Sequence, residues 1–175
     1  MTKPTKNISF CLLLATVVAC SGLFSCNQER QPCLVPKTAS LNIECVHFAA
    51  DTATTTIDTA LPNAIFGALT NGGLKSVVYT TASALFTISL SPLADSCSWL
   101  VLTDSTYSTP PDTLNFYYKR QLQILSNACG YTSFSTLSSA TTTHNHIDSV
   151  LITNPSVTNN VNTTRQLEIF IHPNY

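Results

Sequence analysis

From Ser40 onward, apolar and polar side chains alternate with a period of two, the repeat of a strand with one buried face. Leu41, Ile43 and Cys45 fall on one side, Asn42 and Glu44 on the other. Similar stretches predict strands at 74–80, 84–90, 98–102, 132–137, 147–153 and 165–171. Residues 113–125 set Leu114, Phe116 and Tyr118 against Asn115, Tyr117 and Lys119, then run on through Leu122 and Ile124, as one long strand or two shorter ones. Turn signals punctuate them at Leu61-Pro62-Asn63, at Asn71-Gly72-Gly73 and at 104–112, which holds Pro110-Pro111. A Thr-rich loop is expected at 51–58 and a polar linker at 138–145. Short strands without an amphipathic helix predict an all-β fold, an antiparallel β-sandwich of immunoglobulin-like architecture.

Ahead of this region the pattern differs. Lys3 and Lys6 precede an apolar stretch at 8–24, followed by Leu23-Phe24-Ser25-Cys26 and the polar run Asn27-Gln28-Glu29-Arg30-Gln31. Basic, apolar, small residue, cysteine is the order of a lipoprotein signal rather than of a folded element. The stretch falls short of the ~20 apolar residues that span a bilayer. Cys26 is the expected lipidation site, with Cys20 as the alternative. A solvated tether should follow an acylated cysteine, which suits Asn27 onward; Ser21-Gly22-Leu23-Phe24 after Cys20 stays apolar. The organisation expected is a signal peptide at 1–25, a lipid-anchored tether at 26–39 and one sandwich domain at 40–175.

Charge is sparse, eight Lys plus Arg against nine Asp plus Glu, and no basic patch is present. That argues against nucleic-acid binding and against electrostatic recruitment to a membrane. Ser and Thr supply 45 of 175 residues, so hydroxyls carry the polarity.

After Cys26, the four cysteines Cys33, Cys45, Cys97 and Cys129 form an even set that allows three disulfide pairings. Their spacing lacks the close pairs of a metal site, and no metal or cofactor is expected. Cys33 precedes the first strand and Cys129 ends the long one. A bridge between them would pin the tether to the body, leaving Cys45 with Cys97 as the second bridge.

All six aspartates precede Ser or Thr, an outcome on the order of 10⁻⁴ by chance at this hydroxyl content. Turn chemistry favours such pairs, since both side chains bond nearby backbone amides. The pattern also resembles the periplasmic O-glycosylation sequon of Bacteroidota, with Thr52, Thr59, Ser105, Thr113 and Ser149 as candidate acceptors.

No catalytic constellation stands out. His144-Asn145-His146 sits in the polar linker and is expected to be a solvated loop. Glu44 and Glu168, the two glutamates on strands, are expected to face solvent. Trp99 is expected in the core, and Phe116-Tyr117-Tyr118 should divide its rings between core and surface.

Cys33 with Pro36, Leu90-Ser91-Pro92-Leu93 before Asp95-Ser96, Asp112 through Tyr118, and Ser126-Asn127-Ala128-Cys129-Gly130-Tyr131 together resemble a family of uncharacterised Bacteroidota lipoproteins, across residues 33–171. The resemblance implies structural roles for Cys33 and Cys129, with Cys45 and Cys97 particular to this chain. It also implies a cell-envelope location, at the outer membrane facing periplasm or surface, and partnership with an outer-membrane β-barrel. The expected function is a non-enzymatic docking or structural lipoprotein; the alternative is an envelope-tethered ligand- or glycan-binding module using Trp99 or Tyr117.

Overall fold

The computed structural model describes residues 32–34, 37–49, 55–70, 72–105, 110–159 and 165–172. The strands are β1 (Ser40–Phe48), β2 (Thr56–Asp58), β3 (Ile65–Thr70), β4 (Gly73–Val78), β5 (Leu85–Ser89), β6 (Ser96–Leu102), β7 (Asp112–Ser126), β8 (Gly130–Thr142), β9 (Ile147–Ile152), β10 (Ser156–Val157) and β11 (Leu167–Ile171). No helix occurs among the described residues.

The strands form two sheets. In the first, β1 is central: β11 and then β9 lie on one side, while β5 and β2 share the other. The second runs β10-β8-β7-β6-β3-β4 and is antiparallel throughout. The fold is thus the β-sandwich expected, with one pairing of opposite sense. β1 and β11 run parallel, Ile43 opposite Leu167 and Glu44 opposite Glu168.

One apolar cluster joins the sheets. Leu41 and Ile43 of β1, Phe86 of β5 and Ile169 of β11 pack with Phe66, Trp99, Leu114 and Phe116 of the second sheet. Phe66 and Phe86 meet with ring centroids 4.7 Å apart, and Tyr79 stands edge-on to both. Each such side chain contributes about 1.5–3 kcal/mol by leaving water. Tyr117 faces outward between buried Phe116 and Tyr118, as alternation requires.

Three expectations need correction. The stretch at 138–142 is strand rather than linker: it pairs with 114–117 of β7, where Thr and Ser suit a half-exposed pleat. β3 was hidden by its composition, because Gly67 and Thr70 blur the alternation. A Cβ at Gly67 would lie 2.7 Å from Cδ1 of Leu74 across the hairpin, the end of an exposed side chain that can turn aside. β2, within the expected Thr-rich loop, is formed through three pairings with β1 rather than by an apolar pattern of its own.

Candidate functional site

A cleft of about 790 Å³ opens between the β3–β4–β6 side of the second sheet and the segment 89–94 that carries the chain from β5 to β6. Phe66 is a core residue in register with Val77 and Val101, so Ala68, Lys75 and Trp99, two positions along, lie on the same inward side. Trp99, only 7 % exposed, closes the floor beside Cys97, while Leu90 and Leu93 form the opposite wall. Lys75 is the one charged residue among those lining the cleft. The ion pairs among the described residues engage Arg120 and Arg165 but not Lys75.

The segment forming the wall is clasped to β7. Tyr118 donates its backbone N–H to the Asp95 carbonyl at 2.9 Å and its hydroxyl to the Ser91 carbonyl at 3.0 Å. Arg120 Nε reaches Asp95 Oδ1 at 2.6 Å and Nη1 reaches the Pro92 carbonyl at 2.9 Å. That pairing holds the Asp95 carboxyl below the usual carboxylate range. Burial pushes the Cys97 thiol up, against smaller opposing contacts with the Ser91 backbone, Tyr118 and Trp99.

Beyond Tyr118 the β7–β8 hairpin continues as an arm whose β7 strand is exposed on both faces through Ile124, while Thr132 and Ser135 of β8 are buried. Ile124 pairs with Tyr131 and shares a face with Leu122, and all three are exposed, Leu122 by 72 %. Gly130, at φ +73°, adopts the left-handed conformation that closes the turn. The Cys33–Cys129 disulfide ties the segment entering β1 to this turn, and Thr132 Oγ1 also donates to the Lys37 carbonyl. Residues 33–175 therefore form one compact unit that includes the segment leading into β1.

Asp112, fully buried at the start of β7, accepts four hydrogen bonds from residues 143–147 at the β8–β9 connection. Oδ1 takes Thr143 Oγ1 and the Asn145 N–H, both at 2.8 Å; Oδ2 takes the His146 and Ile147 N–H groups at 2.7 and 3.0 Å. His144 Nδ1 bonds the Asp148 carbonyl at 2.7 Å. The His144-Asn145-His146 turn is thus ordered around a carboxylate. Among the described residues no group of three or more His, Cys, Asp or Glu is arranged to hold a metal.

Glu44, expected to face solvent, is 2 % exposed. On the same outward face Val46 is fully buried and its β11 partner Phe170 nearly so. The Glu44 carboxylate lies 2.5 Å from Arg165 Nη1, which stands 3.9 Å from Glu168. Loss of hydration raises the Glu44 carboxyl, Arg165 pulls it down, and Asp58 and Glu168 push it up again, for a net rise.

The second expected disulfide does not form: Cys45 and Cys97 are both free. Cys45 donates its N–H to the Ala84 carbonyl, at one end of β5, whereas Cys97 lies against Ser91, past the other end. Five extended residues, roughly 17 Å, separate those ends, more than twice the reach of a bridge.

The candidate acceptors also separate. Ser105 and Ser149 are exposed. The Thr59 hydroxyl bonds His47 Nδ1 at 2.7 Å, and Thr113 lies in β7 directly after the buried Asp112. Thr52, Cys20 and Cys26 lie outside the described residues. Lys75 and the carboxylate role of Asp112 were missed from sequence. Asp112 had a usable signal, because it is in phase with Leu114 and Phe116.

A family model described as a family of unknown function (DUF6452) matches residues 65–171, from the first residue of β3 to the last of β11. The matched span begins later than the expected residue 33, so β1 and Cys33 lie outside it. No curated protein and no solved structure matches the chain.

Proposed function

The chain belongs to DUF6452, a family of unknown function, and on that premise we propose that it is a non-enzymatic lipoprotein of the cell envelope, of the Bacteroidota type. It is anchored through Cys26 and docks to another envelope protein, such as an outer-membrane β-barrel. The observation that carries this reading is the Cys33–Cys129 disulfide. Cys33 follows Cys26 by seven positions, at most about 25 Å of extended chain. A lipid on Cys26 therefore keeps the Cys129 turn of the hairpin arm within about that distance of the bilayer. Leu122, Ile124 and Tyr131 are then presented where a membrane-embedded partner ends. Exposed apolar side chains grouped on one face are a common feature of interaction surfaces.

Two measurements test it. Intact mass of the protein from its native envelope should fit an acylated chain starting at Cys26, with two hydrogens gained on reduction. A photo-cross-linker at position 124 should give one discrete protein adduct in the envelope, and one at position 117 should not. A chain without lipid, or adducts from 124 to lipid alone, would overturn the anchor or the docking respectively.

The cleft beside Trp99 favours a second reading, a ligand-binding module. Its volume lies within the range of small-molecule sites, roughly 300–1,000 Å³. Trp99 is recessed into the cleft floor, so it suits an enclosed apolar ligand better than an open stacking platform for sugars.

A further inference from the structure

We propose that the inter-sheet cleft binds a single-chain anionic amphiphile, with its hydrocarbon chain along Trp99, Leu90 and Leu93 and its head group at Lys75. The proposal rests on the ligand-binding reading and not on the docking of the arm. Three features carry it. The lining is mostly apolar side chains and hydroxyls, with Lys75 as its single charge. A lone cation beside an apolar floor complements a ligand with one anionic end and a hydrocarbon body, since a neutral hydrocarbon makes no use of it and a polyanion lacks partners. Asp95, whose chain neighbours Ala94 and Ser96 line the cleft, is bonded to Arg120 at 2.6 Å, and Lys75 takes part in none of the ion pairs among the described residues.

The second feature is the wall. Leu93 is 87 % exposed yet stands on a segment fixed by Tyr118 and Arg120. A large apolar side chain held over an open cleft loses its exposure when a hydrocarbon chain lies beneath it. The third is the shape of the site, open rather than sealed, with Lys75 and Val77 of the edge strand β4 in its lining.

The cleft contains its own reporters. Trp99 is the single tryptophan of the protein, and Cys97 beside it is a free thiol. The experiment uses the full mature chain in phosphatidylcholine vesicles, with dodecanoate and dodecanol as probes. Trp99 emission is followed together with maleimide labelling of Cys97, assigned by peptide mapping so that any other thiol is counted separately. A Tyr117→Cys variant, on the outward face of β7, controls for general effects of amphiphile on the membrane.

Dodecanoate should shift Trp99 emission and slow Cys97 labelling at least tenfold, without slowing the label at position 117. Dodecanol should bind at least fivefold more weakly, about the worth of one partly exposed ion pair. Lys75→Gln should abolish the preference between the probes while leaving dodecanol binding unchanged. Equal binding of both probes to the wild type overturns the head-group assignment. Unaltered Trp99 emission and Cys97 labelling in dodecanoate overturn the site itself. Both results are independent of whether the arm cross-links to a partner or the chain carries lipid.

Discussion

The Asp112 carboxylate, at the first residue of β7, accepts the backbone N–H of Ile147, the first residue of β9, at 3.0 Å. β7 belongs to one sheet and β9 to the other, so a single side chain fastens the two layers at this edge. Three further donors on the same carboxylate make it the organising group of the intervening turn.

Asp112→Asn presents an amide where donors point and should lower stability by about 2–3 kcal/mol; Asp112→Ala, which strands buried N–H groups, should cost more. Urea unfolding of the two variants beside the wild type measures both. A loss below 1 kcal/mol for the alanine variant would mean that water replaces the carboxylate.

Breaking the Cys33–Cys129 bridge releases a loop spanning 96 residues. Chain entropy puts its contribution at about 4.7 kcal/mol at most. A Cys33→Ser, Cys129→Ser double variant should show that loss in denaturant, together with faster proteolysis within the β7–β8 arm. Unchanged proteolysis would show that the arm holds its form without the bridge.

Glu44 gives a pH dependence of definite sign. Its carboxyl is raised above the ordinary 4.5 in the native state, chiefly by burial. It therefore binds its proton more tightly when folded, and the stability that proton supports is lost as pH rises from 4.5 through the raised value. Glu44→Gln should gain on the wild type over that rise, and Arg165→Gln should carry the loss to higher pH. Parallel stability curves for wild type and Glu44→Gln would refute the coupling.

The alternation along the chain already marked Asp112 for burial, because it continues the phase of Leu114, Phe116 and Tyr118. For Glu44 the same rule pointed the wrong way. Its neighbours Ile43 and Cys45 occupy the inward face, but Val46, Phe170 and the Arg165 side chain close around the outward one, and periodicity along one strand cannot report such cover from other segments. The core was legible for the complementary reason: Leu41, Ile43, Leu114, Phe116, Leu167 and Ile169 all follow period two. The cleft was not, because Lys75 and Trp99 meet only through the pairing of β3 with β4 and β6, and the segment bearing Leu93 is held by its clasp to β7.

The two free thiols should differ sharply in reactivity. Cys45 is fully buried, and desolvation beside Glu44 pushes its thiol far up. Cys97 is partly open at the cleft and less enclosed. Maleimide under native conditions should modify Cys97, faster as pH rises above neutral, and leave Cys45 untouched until the protein unfolds. Equal labelling of both would indicate that the core opens readily.

If the Asp-Ser/Thr pairs are glycan acceptors, accessibility selects among them. Hexose-containing mass on peptides from the native envelope should fall on Ser105 and Ser149, with none on Thr113. A glycan on Thr113 would require attachment before β7 pairs.

The parallel pairing of β1 with β11 has a kinetic consequence. The central strand of one sheet is made near the start of the domain, and its neighbour is the last strand formed. During synthesis or passage through a pore, β1 emerges early and stays without that neighbour until residue 171 is free. Loop closure over such a span is slow relative to local hairpins. The β7–β8 hairpin can form while the chain is still being delivered, but the first sheet cannot be completed until β11 has followed.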